Sequence, residues 1–111
     1  MILNLGNKLS IEFGIFRSGS TITMYGDLRV TADEQLFDSF DSLWELIEQK
    51  TGESLCIYES ADFIGESLDQ FILLTESYKQ DTKEQQNFII ELLHVAGIAK
   101  SRGVAFVFRG L

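Results

Sequence analysis

Histidine and cysteine, two residue types that often do chemistry, each occur once in the chain of 111 residues, as His94 and Cys56. The usual zinc sites need several such ligands, and the sequence contains no Gly-rich phosphate loop. We expect Cys56 to be an inert core residue because it lies in an apolar run, whereas a reactive thiolate needs exposure and positive neighbours. We expect His94 to be a solvated surface residue, since helical spacing places it opposite Leu92 and Ala96. Neither residue is predicted to be needed for function.

Carboxylates are the plentiful groups that could do chemistry, with 17 Asp and Glu residues in the chain. A catalytic acid and base pair needs a cleft that separates the two pKa values, and no pattern in the sequence indicates one. The EF-hand calcium loop, with its central Gly and terminal Glu, is also missing. We therefore predict a protein that is not an enzyme and holds no metal or cofactor. A small carboxylate-dependent hydrolase remains an alternative.

The acidic residues are concentrated in the middle of the chain. Residues 31–78 hold twelve Asp or Glu against Lys50 alone, a net charge of −11, while the whole chain carries −8. Such a field repels nucleic acid phosphates and attracts basic protein surfaces. Near the C-terminus Lys100, Arg102 and Arg109 are too few to form a nucleic-acid footprint. We expect a basic protein as partner and no nucleic acid.

The stretch DEQLFDSFDSLWELIEQ, residues 33–49, holds six acidic side chains and no basic one. On a helical wheel five of these carboxylates fall within an arc about 80° wide. We call these five the acidic stripe: Glu34, Asp38, Asp41, Glu45 and Glu48. Like charges four residues apart repel, so a helix optimised only for stability would alternate them with Lys or Arg.

Two aromatic residues, Phe37 and Trp44, fall between the acidic stripe and the apolar side of the same wheel. We predict that the stripe steers a basic partner towards the protein and that the two rings anchor it. The alternative is an ordinary solvated helix face whose marginal aromatics tuck under neighbouring loops.

The elements that position this stretch begin with a predicted hairpin. Alternating apolar residues predict two strands around residues 9–15 and 22–30, joined by a two-residue turn at Ser18 and Gly19. That turn sets a register in which Ile15 faces Ile22, Phe13 faces Met24 and Leu9 faces Leu28. Residues 1–5 are a further, weaker candidate strand.

Helices and strands are predicted to alternate in the rest of the chain. A capping box that starts at Thr31, with Gly52 as C-cap, frames a helix over residues 33–51. Residues 54–58 read as an interior strand, and residues 67–78 as a helix, although residues 71–75 could equally form a strand. A second capping box at Asp81 opens a long helix that ends at Gly103, and residues 104–108 form a last strand.

The order ββαβααβ predicts an α+β fold, a mostly antiparallel sheet with helices packed on one face. The length fits a single domain over residues 1–111. No apolar run approaches the length of a membrane span. With no secretory signal at residues 1–6 and a single cysteine, we expect a cytoplasmic protein.

One segment resembles a known family. Residues 41–46, DSLWEL, lie on a predicted helix that a strand, a helix and a final strand follow. They resemble the Asp-x-Leu-Trp-Asp segment and later architecture of barstar-type ribonuclease inhibitors, over about residues 38–108. The N-terminal hairpin departs from that family, whose first strand and helix it replaces, and Tyr25-Gly26 does not directly precede the helix. Small acidic α+β chains also look like immunity proteins of bacterial toxin systems, whose basic nuclease partners are neutralised by acidic surfaces.

These resemblances imply an immunity-type inhibitor that binds a cognate basic toxin domain, a nuclease, and blocks it without doing chemistry. A second hypothesis is a phage or mobile-element protein that mimics nucleic acid and disables a defence nuclease. A toxin gene directly upstream would favour the first, and a phage operon the second. A homodimer is a further alternative, since marginal aromatics also serve such interfaces.

Overall fold

The computed structural model describes residues 10–20 and 23–110 of the chain. They form the following elements, in chain order: β1 (Ile11–Phe16), β2 (Met24–Ala32), α1 (Glu34–Asp38), α2 (Asp41–Thr51), β3 (Ser60–Phe63), α3 (Glu66–Ser77), α4 (Lys83–Arg102) and β4 (Phe106–Arg109). The predicted α+β class is confirmed, and the predicted order is right except that the first helix is divided in two.

The four strands form one antiparallel sheet in the order β2-β1-β4-β3. Its two central strands come from opposite ends of the described chain, since Phe13 on β1 pairs with Phe108 on β4. On the other side of β4, Ala61 of β3 also pairs with Phe108. The sheet therefore depends on a contact between distant parts of the sequence.

All four helices pack on the same face of this sheet, as predicted. Phe13, Phe106 and Phe108 point to that face because strand side chains alternate and Phe13 pairs with Phe108. Each helix supplies one ring to them, with centroid distances of 5.5 Å for Phe37–Phe108, 5.7 Å for Trp44–Phe13, 6.3 Å for Phe71–Phe13 and 6.0 Å for Phe88–Phe13. These rings form the centre of the core.

The hairpin turn is confirmed, but the predicted register is wrong. The amide of Ser20 donates to the carbonyl of Arg17 at 2.9 Å, and Gly19 has φ of +79°. Phe13, however, pairs with Val30 instead of Met24. The predicted partners Ile22 and Leu9, and the candidate strand at residues 1–5, lie outside the described residues.

A bulge in β2 explains the shift in register. Between the pairs Gly14–Arg29 and Phe16–Met24, β1 has one residue and β2 has four. The extra chain folds closely over Gly14, where a Cβ atom would lie 2.7 Å from the Leu28 carbonyl oxygen and 2.8 Å from the Met24 sulfur. A glycine at this position of β1 therefore makes the bulge sterically feasible.

The helix predicted over residues 33–51 is interrupted between α1 and α2. Its N-cap is Asp33, whose Oδ1 accepts from the Leu36 amide at 2.8 Å, whereas the predicted cap Thr31 belongs to β2. At the break the Ser39 hydroxyl donates to the Leu36 carbonyl at 2.6 Å, and Phe40 is fully buried. The predicted C-cap is confirmed, since Gly52 has φ of +80°.

The strand predicted at residues 54–58 is wrong. These residues belong to a loop with a turn in which the Glu59 amide donates to the Cys56 carbonyl at 3.0 Å, and the strand begins at Ser60. The loop is held against the end of β4, where the Gly110 amide donates to the Glu59 carbonyl at 2.9 Å. The apolar residues of this run serve loop packing, and Cys56 is only half-buried.

The two later helices agree with the prediction. Residues 66–77 are helical, which decides between the helix and the strand considered there. The long helix α4 ends at Gly103, with φ of +69°, and begins one residue later than predicted, because the cap is Thr82 and accepts from the Gln85 amide at 3.0 Å. Among the described residues, no helix has the length and apolarity needed to cross a membrane.

Candidate functional site

The acidic stripe lies on two consecutive helices instead of one. Glu34 and Asp38 belong to α1, and Asp41, Glu45 and Glu48 belong to α2. All five side chains are exposed. None of the five forms an ion pair with a basic side chain of residues 10–20 or 23–110. The stripe is therefore an exposed run of negative charge that the described part of the chain does not neutralise.

The prediction that Phe37 and Trp44 lie at the margin of the helix is wrong. Their side chains are 2% and 4% exposed, so neither ring offers surface to a partner. The reason is that both rings pack on the sheet, Phe37 against Phe108 and Trp44 against Phe13, in a core that also includes Leu55 from the loop after α2. Their burial favours the alternative of an ordinary solvated helix face, although the rings pack on the sheet and not only under a loop.

Phe37 and Trp44 instead join the two helices that carry the stripe. Their rings stack with centroids 5.2 Å apart and an interplanar angle of 23°. The indole Nε1 of Trp44 donates to the Phe37 carbonyl at 2.9 Å, which satisfies a carbonyl at the end of the short helix α1. Both rings also contact the sheet, through Phe108 and Phe13. The two helices are thereby fixed to the core and to each other.

Comparison of the chain with protein-family models, with curated proteins and with solved structures finds no match. Function is therefore inferred from the charges and contacts of the chain itself.

Three carboxylates of the stripe line a shallow depression of about 180 Å³. Asp41, Glu45 and Glu48 lie on successive turns of α2 along one side, and Trp44 and Leu55 complete the lining. The depression is an open hollow that a single long side chain could enter. A lysine or arginine there would place its stem on apolar atoms and its charge among the three carboxylates. The sequence did not predict Leu55 as part of this site, because residues 54–58 were predicted to form an interior strand.

The basic side chains that form ion pairs do so away from the stripe. Glu12, on β1, receives both Arg29 at 3.3 Å and Arg109 at 2.5 Å. Lys100 of α4 pairs with Asp69 of α3 at 3.0 Å. These pairs neutralise acids outside the stripe, so none of the ion pairs between described residues involves a stripe carboxylate.

Among residues 10–20 and 23–110, no group of three or more His, Cys, Asp and Glu side chains has the geometry to hold a metal ion. His94 is exposed on α4, as predicted, and lies in a different groove from the stripe. The arrangement around α2 therefore suits the binding of positive charge.

Proposed function

We propose that this chain is a small immunity-type inhibitor that binds a cognate basic toxin domain, a nuclease, through the acidic stripe. The observation that carries the proposal is the exposure of five carboxylates on two adjoining helices, none of them paired with a described basic residue. A nuclease needs a positive surface to hold phosphates, and that surface is complementary to such a stripe. The inhibitor would cover it and perform no chemistry.

The fixed position of the stripe favours tight binding. Exposed charge of one sign speeds encounter with an oppositely charged protein by roughly 10- to 1,000-fold at low salt. Because α1 and α2 are held by the buried Phe37–Trp44 stack, their backbone needs no further ordering when a partner arrives. Little of the electrostatic attraction is therefore offset by the entropy cost of ordering these two helices.

Apolar contact with the partner has to come from residues other than the two predicted anchors. Leu46, on α2, is 44% exposed and is the large apolar side chain that this helix presents to solvent. Its side chain offers the partner apolar surface to desolvate. In this proposal the stripe governs association and Leu46 slows dissociation.

The test is a binding experiment with the intact protein and a variant of the stripe. The wild-type chain is immobilised, proteins retained from the source cell's lysate are identified, and the retained protein is purified for kinetics. A basic nuclease domain is expected. In Asp41→Asn/Glu45→Gln/Glu48→Gln the association rate should fall about tenfold or more at low salt, and the difference should shrink as salt screens charge over about 10 Å at 0.1 M.

A matched control neutralises three carboxylates elsewhere. Glu59, Asp62 and Glu76 are exposed and form no ion pair with a described residue. The variant Glu59→Gln/Asp62→Asn/Glu76→Gln changes the net charge by the same amount and should associate close to the wild-type rate. Equal slowing in both variants would show that net charge acts without the stripe. Coexpression should protect cells from the toxin with the control variant, and less well with the stripe variant.

A further inference from the structure

A second exposed surface lies on α4, and its composition differs from that of the stripe. Five exposed residues follow one another at alternating spacings of three and four: Asn87, Ile90, His94, Gly97 and Ser101. This is the spacing with which one helix presents a continuous seam to another. Ile90 is 66% exposed, the most exposed aliphatic side chain among the described residues. The seam thus contains an apolar residue that nothing in the described chain covers.

Gly97 is the second unusual residue of this seam. It lies inside a helix of 20 residues, where glycine lowers stability relative to alanine. Apart from its chain neighbours and the backbone of its own helix, no described atom lies within 4 Å of the position that its Cβ would occupy, so packing within the described chain does not require a glycine. The absence of a side chain there leaves the backbone of α4 open to close approach from outside.

A groove of about 420 Å³ runs beside the seam, between α4 and β2. β2 is an edge strand of the sheet that the described strands form. Val30 and Val95 are buried in the groove floor. Its polar rim contains both signs, with carboxylates from Asp27 and Glu91, the guanidinium of Arg29 and the imidazole of His94. The acidic stripe, by contrast, contains carboxylates alone.

We propose that this surface binds a second copy of the chain, with the two α4 helices packed antiparallel about a two-fold axis beside His94. Ile90 precedes that axis by about one turn and Gly97 follows it by about one turn. The two-fold operation therefore places Ile90 of each copy over Gly97 of the other. An exposed isoleucine and an exposed glycine then become a knob and the space that receives it.

The charges of the groove favour a second copy over a partner of one sign. In a two-fold interface each patch meets itself, so a patch of both signs can pair with itself and a patch of one sign is repelled. Each chain carries −8, so two copies repel each other overall, and positive charge at the interface lowers that repulsion. The rim supplies one such charge, because Arg29, which also pairs with Glu12 of its own chain, can face Asp27 or Glu91 of the other copy. The bulge interrupts the regular edge of β2, which disfavours dimerisation by pairing of two β2 strands. Contact between the α4 helices is therefore the favoured arrangement.

The test is the mass of the full chain by sedimentation equilibrium as concentration is raised. We expect reversible formation of a species of twice the 12.6 kDa chain mass. Ile90→Gln should weaken dimerisation about tenfold or more, as loss of a central apolar contact does. Leu73→Gln is the matched control, because Leu73 on α3 is 55% exposed and lies outside the seam, so this change should leave the dimer intact.

Gly97→Gln separates the dimer from the fold. Glutamine is a better helix former than glycine, so the monomer should remain folded and at least as stable. Its side chain would occupy the space of the incoming Ile90 and should weaken dimerisation by about the same factor. A protein that stays monomeric at every concentration up to its solubility limit overturns the proposal. A dimer that neither Ile90→Gln nor Gly97→Gln weakens overturns it too.

Discussion

The helices α2 and α4 have similar buried sides and different exposed sides. Trp44 of α2 and Phe88 of α4 both contact Phe13 at the centre of the sheet, with centroids 5.7 Å and 6.0 Å apart. On the exposed side, α2 carries only carboxylates in its part of the acidic stripe. By contrast, α4 exposes an isoleucine and a glycine, and the groove between α4 and β2 has carboxylates on both elements and the guanidinium of Arg29 on β2. Two helices that pack on the sheet in the same way thus present different exposed surfaces.

The difference indicates which kind of partner each surface can accept. A helix face with one sign of charge repels a copy of itself and fits a basic surface. A face with both signs, an exposed isoleucine and an open glycine can satisfy itself by two-fold symmetry. We therefore expect different partners on α2 and α4.

The largest effect is expected on the buried side of α2. Trp44→Ala removes a ring that is 4% exposed and a hydrogen bond to the Phe37 carbonyl, so the free energy of unfolding should fall by about 3–5 kcal/mol. Leu46→Ala, on the exposed side of the same helix, should lower it by less than about 1 kcal/mol. Urea denaturation measures both. Similar losses for the two variants would contradict the assignment of Trp44 to the core.

Two glycines, one at the end of α2 and one inside α4, should respond to alanine with opposite signs. Gly52 has φ of +80°, so Gly52→Ala should lower the free energy of unfolding by about 1–2 kcal/mol. Gly97 lies in regular helix, and a Cβ there would meet no described atom within 4 Å beyond its chain neighbours and its own helix backbone, so Gly97→Ala should raise the free energy of unfolding by about 0.5–1 kcal/mol. Thermal unfolding at low protein concentration compares the monomers. A lower free energy of unfolding for Gly97→Ala would mean that another part of the same chain packs against Gly97.

The helix α3 contacts both α2 and α4 and contains a buried hydroxyl without a described partner. Thr75 is 0% exposed, and its Oγ1 forms no hydrogen bond with the described residues. Replacing the hydroxyl by a methyl group removes the cost of desolvating it, so Thr75→Val should raise the free energy of unfolding by about 1 kcal/mol. Thr75→Ser keeps the hydroxyl and serves as the control, which should be destabilised. Loss of stability in Thr75→Val would mean that the hydroxyl has a partner.

The smallest effect concerns the exposed charges. Glu45 lies four residues after Asp41 and three before Glu48, so Glu45→Gln removes two repulsive pairs and should raise the free energy of unfolding by about 0.5 kcal/mol. Glu91→Gln on α4 has no acidic residue three or four positions away and should change it by about 0. Denaturation at low and high salt checks both, since salt should reduce the gain in Glu45→Gln. An equal increase in the free energy of unfolding for both variants would mean that net charge, and not the repulsive pairs, causes the increase.

The sequence predicted the elements whose signals are local. The hairpin turn at Ser18 and Gly19, the cap at Gly52 and the helical spacing of α3 and α4 are all confirmed. The predicted strand register was wrong because it depends on contacts between distant residues. The register of β1 and β2 follows from a bulge that closes over Gly14, and the spacing of apolar residues carries no signal for it.

The candidate site was predicted in part. The exposure of its carboxylates follows from the wheel, because acids on the polar side of a helix stay in water. The burial of Trp44 depends on tertiary packing, since its ring lies against Phe13 of the sheet and against Phe40. A wheel shows which side of a helix is apolar, but the width of the buried arc is set by what folds against it. Whether the stripe binds a basic toxin remains a prediction.

The central position of β1 and β4 has a consequence for synthesis of the chain on the ribosome. Phe13 cannot pair with Phe108 until residue 108 has emerged, so the β1–β2 hairpin waits through the synthesis of every helix. A two-stranded hairpin is marginally stable by itself. During that interval the aromatic rings that later meet on one sheet face lack their common surface, a state that favours aggregation. Assembly of the sheet should therefore begin only after residue 108 has emerged, and pairing of β4 with β1 should be a late step of folding.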